Sequence, residues 1–414
     1  MKNKKIVFGI ITGIVLLLTI TSYIFVVVLK DRKQPTYISK SEDGNFSTTF
    51  IKASHKNINK DNYMISPYSV EIALSMLRDG SKGETLKEIE KVCPKRTIKT
   101  LSVKNKVNVA NALFVKNKFK DDIKETYTNN LKENYNVDFI YDDFSSPKVI
   151  NNWVNKETNG MIDKLLNDID PEFVLGLANA VAMEEEWQEE FKCELIDKGS
   201  FTKIDGKKID VSMLTKSYES SASYYKDDTS EALVIPYKKY DYKTGKETKK
   251  DGEQLEFIGI IPNDIDNYIS NLNLNTIKKI DKEKQDSGED LTIYAKLPKF
   301  DFSFNFKKFK KTLKDMGIKS VFGNADLSGM VNNHPDLFIN EAIHKTYVKV
   351  DEKGTKAAAA TYFGSKDMAV AEKERVEIFF DKPFIFIIKD TKSNELLFFG
   401  VVYEPNKYEK TKCD

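Results

Sequence analysis

The second half of the chain limits its fold more than any other feature. From residue 231 to residue 404, apolar or alternating runs follow one another: "EALVIPYK", "LEFIGIIPND", "LTIYAKLPKF", "VEIFF", "FIFIIKD" and "LLFFGVVYE". Each is short, rich in β-branched and aromatic residues, and reads as a strand. Helical periodicity crowds the first half instead, in "SPYSVEIALSMLRDG", "GETLKEIEKV", "DDIKETYTNNLKENYN" and "SSPKVINNWVNKETNG", with strand runs "KVNVANALFVK" and "FVLGLANAVAM" among them. In the first helix Ser66 suits the N-cap, Pro67 the first turn and Gly80 the stop, and Ile72, Leu74, Met76 and Leu77 give a broad apolar face. Gly160 ends the fourth. A parallel βαβ fold needs helices and strands in alternation. This segregation predicts an α+β fold with large, mostly antiparallel sheets. No linker or internal repeat interrupts residues 46–405, so one body is expected there. A 40% hydrophobic content is enough to fill its core.

The N-terminus follows a different rule. "MKNKK" precedes 24 uncharged residues, 6–29. As a helix this run is about 36 Å long, against a hydrocarbon core of about 30 Å. It exceeds the h-region of a cleaved signal and has neither a small-x-small cleavage site nor a cysteine for lipidation. Residues 1–30 therefore read as an uncleaved transmembrane signal anchor, with a cleaved signal as the alternative. A polar linker, 31–45, follows, and a polar tail, 406–414, closes the chain. Lys2, Lys4 and Lys5 on one side nearly balance Lys30, Arg32 and Lys33 on the other, so charge bias does not choose an orientation.

Charge and motif content exclude several function classes. The 65 basic and 63 acidic residues leave a net charge of +2, which makes no electrostatic case for nucleic acid. Neither G-x-G-x-x-G nor a Walker-type loop is present, and no G-x-S-x-G elbow. Cys93, Cys193 and Cys413 are odd in number and far apart, which is neither a disulfide framework nor a metal set. Of the three histidines, His55, His334 and His344, His344 in "EAIHKT" reads as a satisfied core residue and His334 in "NNHPD" as part of a solvated turn. The acidic cluster "MEEEWQEEF" reads as a solvated loop or helix face, and "FKKFKKTLK" as a helix whose lysines face water. Nothing assembles a catalytic constellation, so the chain is read as no enzyme, with no metal or cofactor.

One stretch resists this grammar. "VDEKGTKAAAATYFGSKDMAVAEKERVEIFF", residues 350–380, sets four alanines, the best helix formers, between strand runs and contains no proline. "NYMISPYSVEIALSMLRDGSKGETLKEI", "VANALFVKNKF", "INNWVNKETNGMIDKLL", "LPKF", "GNADLSGM", "AIHKTYVKVDEKGTKAAAAT" and "KPFIFII…LLFFGVVYEP" occur in an order and spacing that resemble the serpins across residues 46–405. The resemblance implies three β-sheets, one a large central sheet A, with eight or nine helices and an exposed reactive-centre loop. It implies an irreversible inhibitor of serine proteases. The loop is cut, the protease is trapped as its acyl-enzyme, and the cut loop enters the central sheet as a new strand.

The resemblance also assigns residues. Glu352, Lys353, Gly354 and Thr355 match the hinge, and Ala357, Ala358, Ala359 and Ala360 the mobile segment behind it. Family spacing sets the reactive bond between Met368 and Ala369, with Lys366, Lys373 or Arg375 as alternatives because "AVAEKER" is long and charged. Ser66, Asn179 and His344 match the shutter, and Trp187 the breach, although "VAMEEEW" departs from the family's approach to that tryptophan. A strand entering a packed sheet must bury alternate side chains. Thr355, Ala357, Ala359, Thr361 and Phe363 share one face and all but the last are small, while Lys356 lies on the other. The implied partner is a target protease, of the serine or the cysteine class, met by a monomer. The membrane is the second partner, and no nucleic acid or glycosaminoglycan is expected. A non-inhibitory binding or chaperone-like member is the alternative function, and the clean hinge speaks against it. The body is expected outside the cell, or secreted.

Overall fold

The computed structural model describes residues 45–95, 107–332 (apart from 136, 184, 242, 243, 245, 250, 251 and 253), 337–355 and 373–410. The apolar run 6–29, His334, and the segment 356–372 that carries Ala357, Ala358, Ala359, Ala360, Lys366, Met368 and Ala369 lie outside the described residues. The first half contributes α1 (Asn45–Asn57), β1 (Tyr63–Ile65), α2 (Pro67–Gly80), α3 (Gly83–Val92), β2 (Val107–Lys116), α4 (Glu125–Tyr135), β3 (Val137–Asp142), α5 (Lys148–Glu157), β4 (Leu175–Met183) and β5 (Glu185–Glu186). Next come β6 (Ile196–Thr202), β7 (Lys208–Tyr218), β8 (Ser223–Lys226), β9 (Ser230–Pro236), β10 (Leu255–Pro262), α6 (Ile265–Asn271), α7 (Leu274–Glu283), β11 (Gln285–Asp286), β12 (Leu291–Pro298), β13 (Phe300–Asn305) and α8 (Phe309–Met316). The chain closes with β14 (Glu341–Val350), β15 (Gly354–Thr355), β16 (Glu374–Phe379), β17 (Phe384–Asp390) and β18 (Leu396–Val402).

Local chemistry accounts for the main helix. Ser66 caps α2, its hydroxyl accepting from the Ser69 amide at 3.3 Å, and Pro67 occupies the first turn. Gly80 ends the helix for a steric reason beyond the expected stop signal. A β-carbon there would meet the Tyr127 ring at 2.9 Å and Met330 at 3.1 Å.

Three sheets and a ribbon result. Seven strands run in the order β1-β18-β17-β10-β9-β8-β11, four in the order β16-β12-β7-β6, and five in the order β13-β14-β4-β2-β3. The ribbon pairs β15 with β5. Most pairings are antiparallel, and β14 on β4 is one of the parallel ones. In the five-stranded sheet, Leu175, Leu177, Val181 and Met183 of β4 face the main core. The alternate Ala178 and Ala180 face a second cluster with Ile150, Trp153 and Val154 of α5. Alanines on that face let α5 lie close, with Trp153 edge-on to Phe114, ring centroids 5.5 Å apart.

Two expectations need correction. Cys193 is disulfide-bonded, a pairing that wide cysteine spacing gave no reason to expect. The acidic cluster after β4 is not solvated throughout: Glu185 is 1% exposed and belongs, with Glu186, to a strand, while the Glu189 side chain is 42% exposed.

Candidate functional site

The site is the seam between β4 and β14. β4 is apolar but for Asn179, and His344 on the buried face of β14 is paired with it across the parallel register. Burial forces each to find partners. His344 Nε2 accepts from the Ser66 amide at 3.0 Å, which puts the ring proton on Nδ1. The Asn179 amide donates to Asn111 Oδ1 on β2 at 2.5 Å. Thr346 adds a bond to the Met64 carbonyl at 2.7 Å. Two buried atoms here, His344 Nδ1 and Asn179 Oδ1, have no partner. Burial pushes the His344 pKa down to about 3, so the ring is neutral at any ordinary pH. His344 is buried in the core, and the structure brings it together with Ser66 and Asn179, the other two residues that the resemblance assigns to the shutter.

The top of the seam is built around Trp187, which is fully buried, stacked on Tyr237 with centroids 4.6 Å apart, and edge-on to Phe257. The departure from the family's approach to this tryptophan leaves it well seated. Its indole N–H donates to the Asp351 carbonyl at 2.9 Å, and its amide to the Lys353 carbonyl at 3.0 Å. The Phe191 amide donates to the Glu352 carbonyl at 2.8 Å. Successive hinge carbonyls are therefore held by one short segment, 187–191. The hinge turns on Asp351, whose carboxylate accepts from the amides of Lys353 (3.0 Å) and Gly354 (3.3 Å).

Gly354 and Thr355 then pair antiparallel with Glu186 and Glu185. Gly354 has φ +145°, and a β-carbon on it would lie 2.2 Å from the Glu185 carbonyl oxygen, so only glycine fits. The sequence reading assigned residues 352–355 to a hinge by resemblance and did not foresee the strand that pairs with them. The signal available was the unbroken run from β4 through "EEEW" to the tryptophan.

Charge pairs brace this corner. Lys299 bonds Glu352 at 2.8 Å, Lys349 bonds Asp351 at 2.9 Å, and Lys238 bonds Glu186. Burial opposes the charge of Glu352, but the Lys299 ammonium, a backbone amide and Lys349 together outweigh it and hold the carboxyl below its ordinary pKa. No cluster that would hold a metal occurs among the described residues.

Of the alternative cleavage residues, Lys373 immediately precedes β16. Arg375 is within β16, paired with Thr292, its guanidinium 4.7 Å from the Tyr294 ring centroid and 2.9 Å from Glu377.

Comparison with known proteins fits this geometry. The serpin (serine protease inhibitor) family model matches residues 41–405. An uncharacterized serpin-like protein of Thermococcus kodakarensis is 30% identical over 371 residues, 84% of this chain and 82% of that one. The leukocyte elastase inhibitor of Xenopus tropicalis is 28% identical over 389 residues, 87% of this chain and 98% of that one. The native-state crystal structure of a thermophilic serpin, tengpin, superposes with a TM-score of 0.75 at 28% identity, covering 90% of this chain and 98% of that chain. The latent-state structure of tengpin gives a TM-score of 0.69.

Proposed function

Since the chain belongs to the serpin family of serine protease inhibitors, we propose that it is an irreversible suicide-substrate inhibitor that works by loop cleavage, acyl-enzyme trapping and strand insertion between β4 and β14. One observation carries this reading. The hinge is already started as a strand, with Gly354 opposite Glu186 and Thr355 opposite Glu185, antiparallel at the top of β4. A strand inserted between the parallel β4 and β14 runs in that same sense. Continuing the register pairs each loop residue with the β4 residue for which the two numbers sum to 540, the sum of 354 and 186. Ala357 then meets Met183, Ala359 meets Val181, Thr361 meets Asn179 and Phe363 meets Leu177. Directly opposed residues share a face, and these β4 positions, like buried Asn179, lie on the main-core side. The small side chains are on the face that has least room.

The protease's own serine opens the reactive bond and is left esterified to the loop. About 14 inserted residues at 3.3 Å each carry the tethered enzyme roughly 45 Å before the ester hydrolyses. Loop insertion in serpins is itself a standard example of strand addition and of a stored-strain switch. Here the native arrangement, with β4 and β14 directly paired, is the charged state of that switch.

The bond between Met368 and Ala369 is the proposed cleavage point. Arg375 is a poor candidate, since its backbone is committed to β16 and a protease needs a segment that can enter its cleft. Met368 suits an enzyme with an apolar specificity pocket. The chain is proposed to act as a monomer. The connection from α3 to β2, residues 93–106, is short for a serpin, so no glycosaminoglycan activation is proposed. No helix among the described residues is long and apolar enough to cross a membrane. Residues 6–29 are proposed as the anchor that holds the body at the outer face of the cell, where it would meet foreign proteases.

The test is incubation with a panel of serine and cysteine proteases. An SDS-stable complex with release of a peptide beginning at Ala369 is expected. Degradation without a complex for every enzyme overturns the inhibitor reading. Digestion of intact cells that leaves the body uncut and uncomplexed overturns the outer placement.

A further inference from the structure

We propose that the cleft between the C-terminal half of α1 and α6 binds a small carboxylate with an apolar body. The cleft has a volume of about 340 Å³, within the range of small-molecule sites, about 300–1,000 Å³. Lys52, His55 and Lys56 of α1 line it from one side, and Asp266 and Ile269 of α6 from the other. Ile58 and Lys60 from the loop after α1, and Tyr403 just past β18, complete the lining used here.

Some of these groups are already committed. His55 Nε2 donates to the Asp266 carboxylate at 3.0 Å, and Nδ1 accepts from the Tyr63 hydroxyl at 3.0 Å, the one neutral tautomer that serves both partners. Lys60 pairs with the same carboxylate. Asp266, the only acid in the lining, is therefore answered from within the protein.

Three polar groups are left over. Lys52 and Lys56 have no acidic partner among the described residues. They stand four apart on α1, so their like charges repel across one helical turn. Tyr403 is 3% exposed, and its hydroxyl is buried with no partner. The residue is fixed in place, because Asn62 Oδ1 accepts from the Tyr403 amide at 2.7 Å and from the Glu404 amide at 2.9 Å. An orphaned buried hydroxyl is costly and calls for an explanation. A carboxylate in the cleft supplies one. It accepts from both lysines, relieves their repulsion, and gives the Tyr403 hydroxyl an acceptor. Three lysines against one acid favour an anion there. An ion pair open to water contributes little by itself, so the ligand also needs an apolar body, which would lie against Ile58 and Ile269.

The test is equilibrium dialysis of the full-length chain with naphthylacetate. Naphthylethanol serves as the neutral counterpart, and inorganic phosphate as an anion without the body. One naphthylacetate should bind per chain and raise Tm by mass action, with the alcohol at least tenfold weaker and phosphate showing no saturation. Lys52→Met and Lys56→Met, at half-buried and exposed positions, should each weaken naphthylacetate several-fold. Tyr403→Phe should weaken it several-fold as well, yet keep or raise the Tm of the ligand-free protein, since it deletes an unpaired hydroxyl. A hydroxyl with a structural role alone would do the reverse, lowering Tm and sparing the affinity. No saturable binding, or wild-type affinity in all three variants, overturns the site. Equal affinity for the alcohol overturns the anion, and equal affinity for phosphate overturns the apolar body. No protease takes part, so the result stands apart from the inhibitor reading.

Discussion

The indole N–H of Trp187 donates to the carbonyl of Asp351 at 2.9 Å, joining the segment that follows the third strand of the five-stranded sheet to the residue on which the turn before β15 is built. The bond is buried and crosses 164 residues of sequence. With the bond from the Trp187 amide to the Lys353 carbonyl, it holds the turn before β15 against the segment that follows β4.

Trp187→Phe removes that donor and leaves the Asp351 carbonyl unpaired. A buried acceptor left alone costs about 1–3 kcal/mol, and the smaller ring adds a cavity beside Tyr237 and Phe257. The expected outcome is a lower midpoint for the first unfolding transition in guanidinium, followed by circular dichroism, and faster spontaneous loop insertion. An unchanged midpoint would show that the hinge root is held elsewhere.

Gly354→Ala acts on the ribbon itself. The positive φ alone costs roughly 1–3 kcal/mol for a residue with a β-carbon, and the new methyl would lie against the Glu185 carbonyl oxygen. Thr355→Arg blocks entry one step later by adding bulk opposite buried Glu185. Both variants are expected to be cut as substrates, with the ratio of covalent complex to cleaved protein on SDS gels falling at least tenfold. Wild-type ratios for both would mean that insertion does not pass through this hinge.

His344 gives a pH signature. Its folded pKa is depressed by burial to about 3, below the unfolded value of about 6.5. The unfolded chain therefore binds the proton first, and the contribution is fully present above pH 6.5 and lost as pH falls. The loss is about 1.4 kcal/mol per pH unit, or roughly 2 kcal/mol at pH 5. Glu190 and Glu341, both raised chiefly by burial, work in the opposite sense over part of that range. The informative quantity is thus the difference between wild type and His344→Gln in denaturant midpoint at pH 7 and pH 5. Equal pH dependence in the two proteins would show that the ring is not held neutral.

Some of this site was legible in the sequence because its signals are local. The cap of α2 at Ser66, the apolar runs of β17 and β18, and His344 as a core residue all follow from neighbours within a few positions. Other parts were not. Glu185 and Glu186 look solvated by composition, yet they are strand because the hinge, 168 residues later, pairs with them and Lys238 pairs with Glu186. Arg375 looks like bait by its charge, yet β12 takes its backbone into a sheet.

The sequence by itself determined which segments are helix or strand, since periodicity and side-chain size are properties of adjacent residues. Only the tertiary structure decided that β4 and β14 lie side by side in parallel, that the hinge is already paired at their upper end, and that Cys193 is oxidised. Those are relationships between segments far apart in the chain. They are set by how the sheets pack around one core, and no local pattern encodes that.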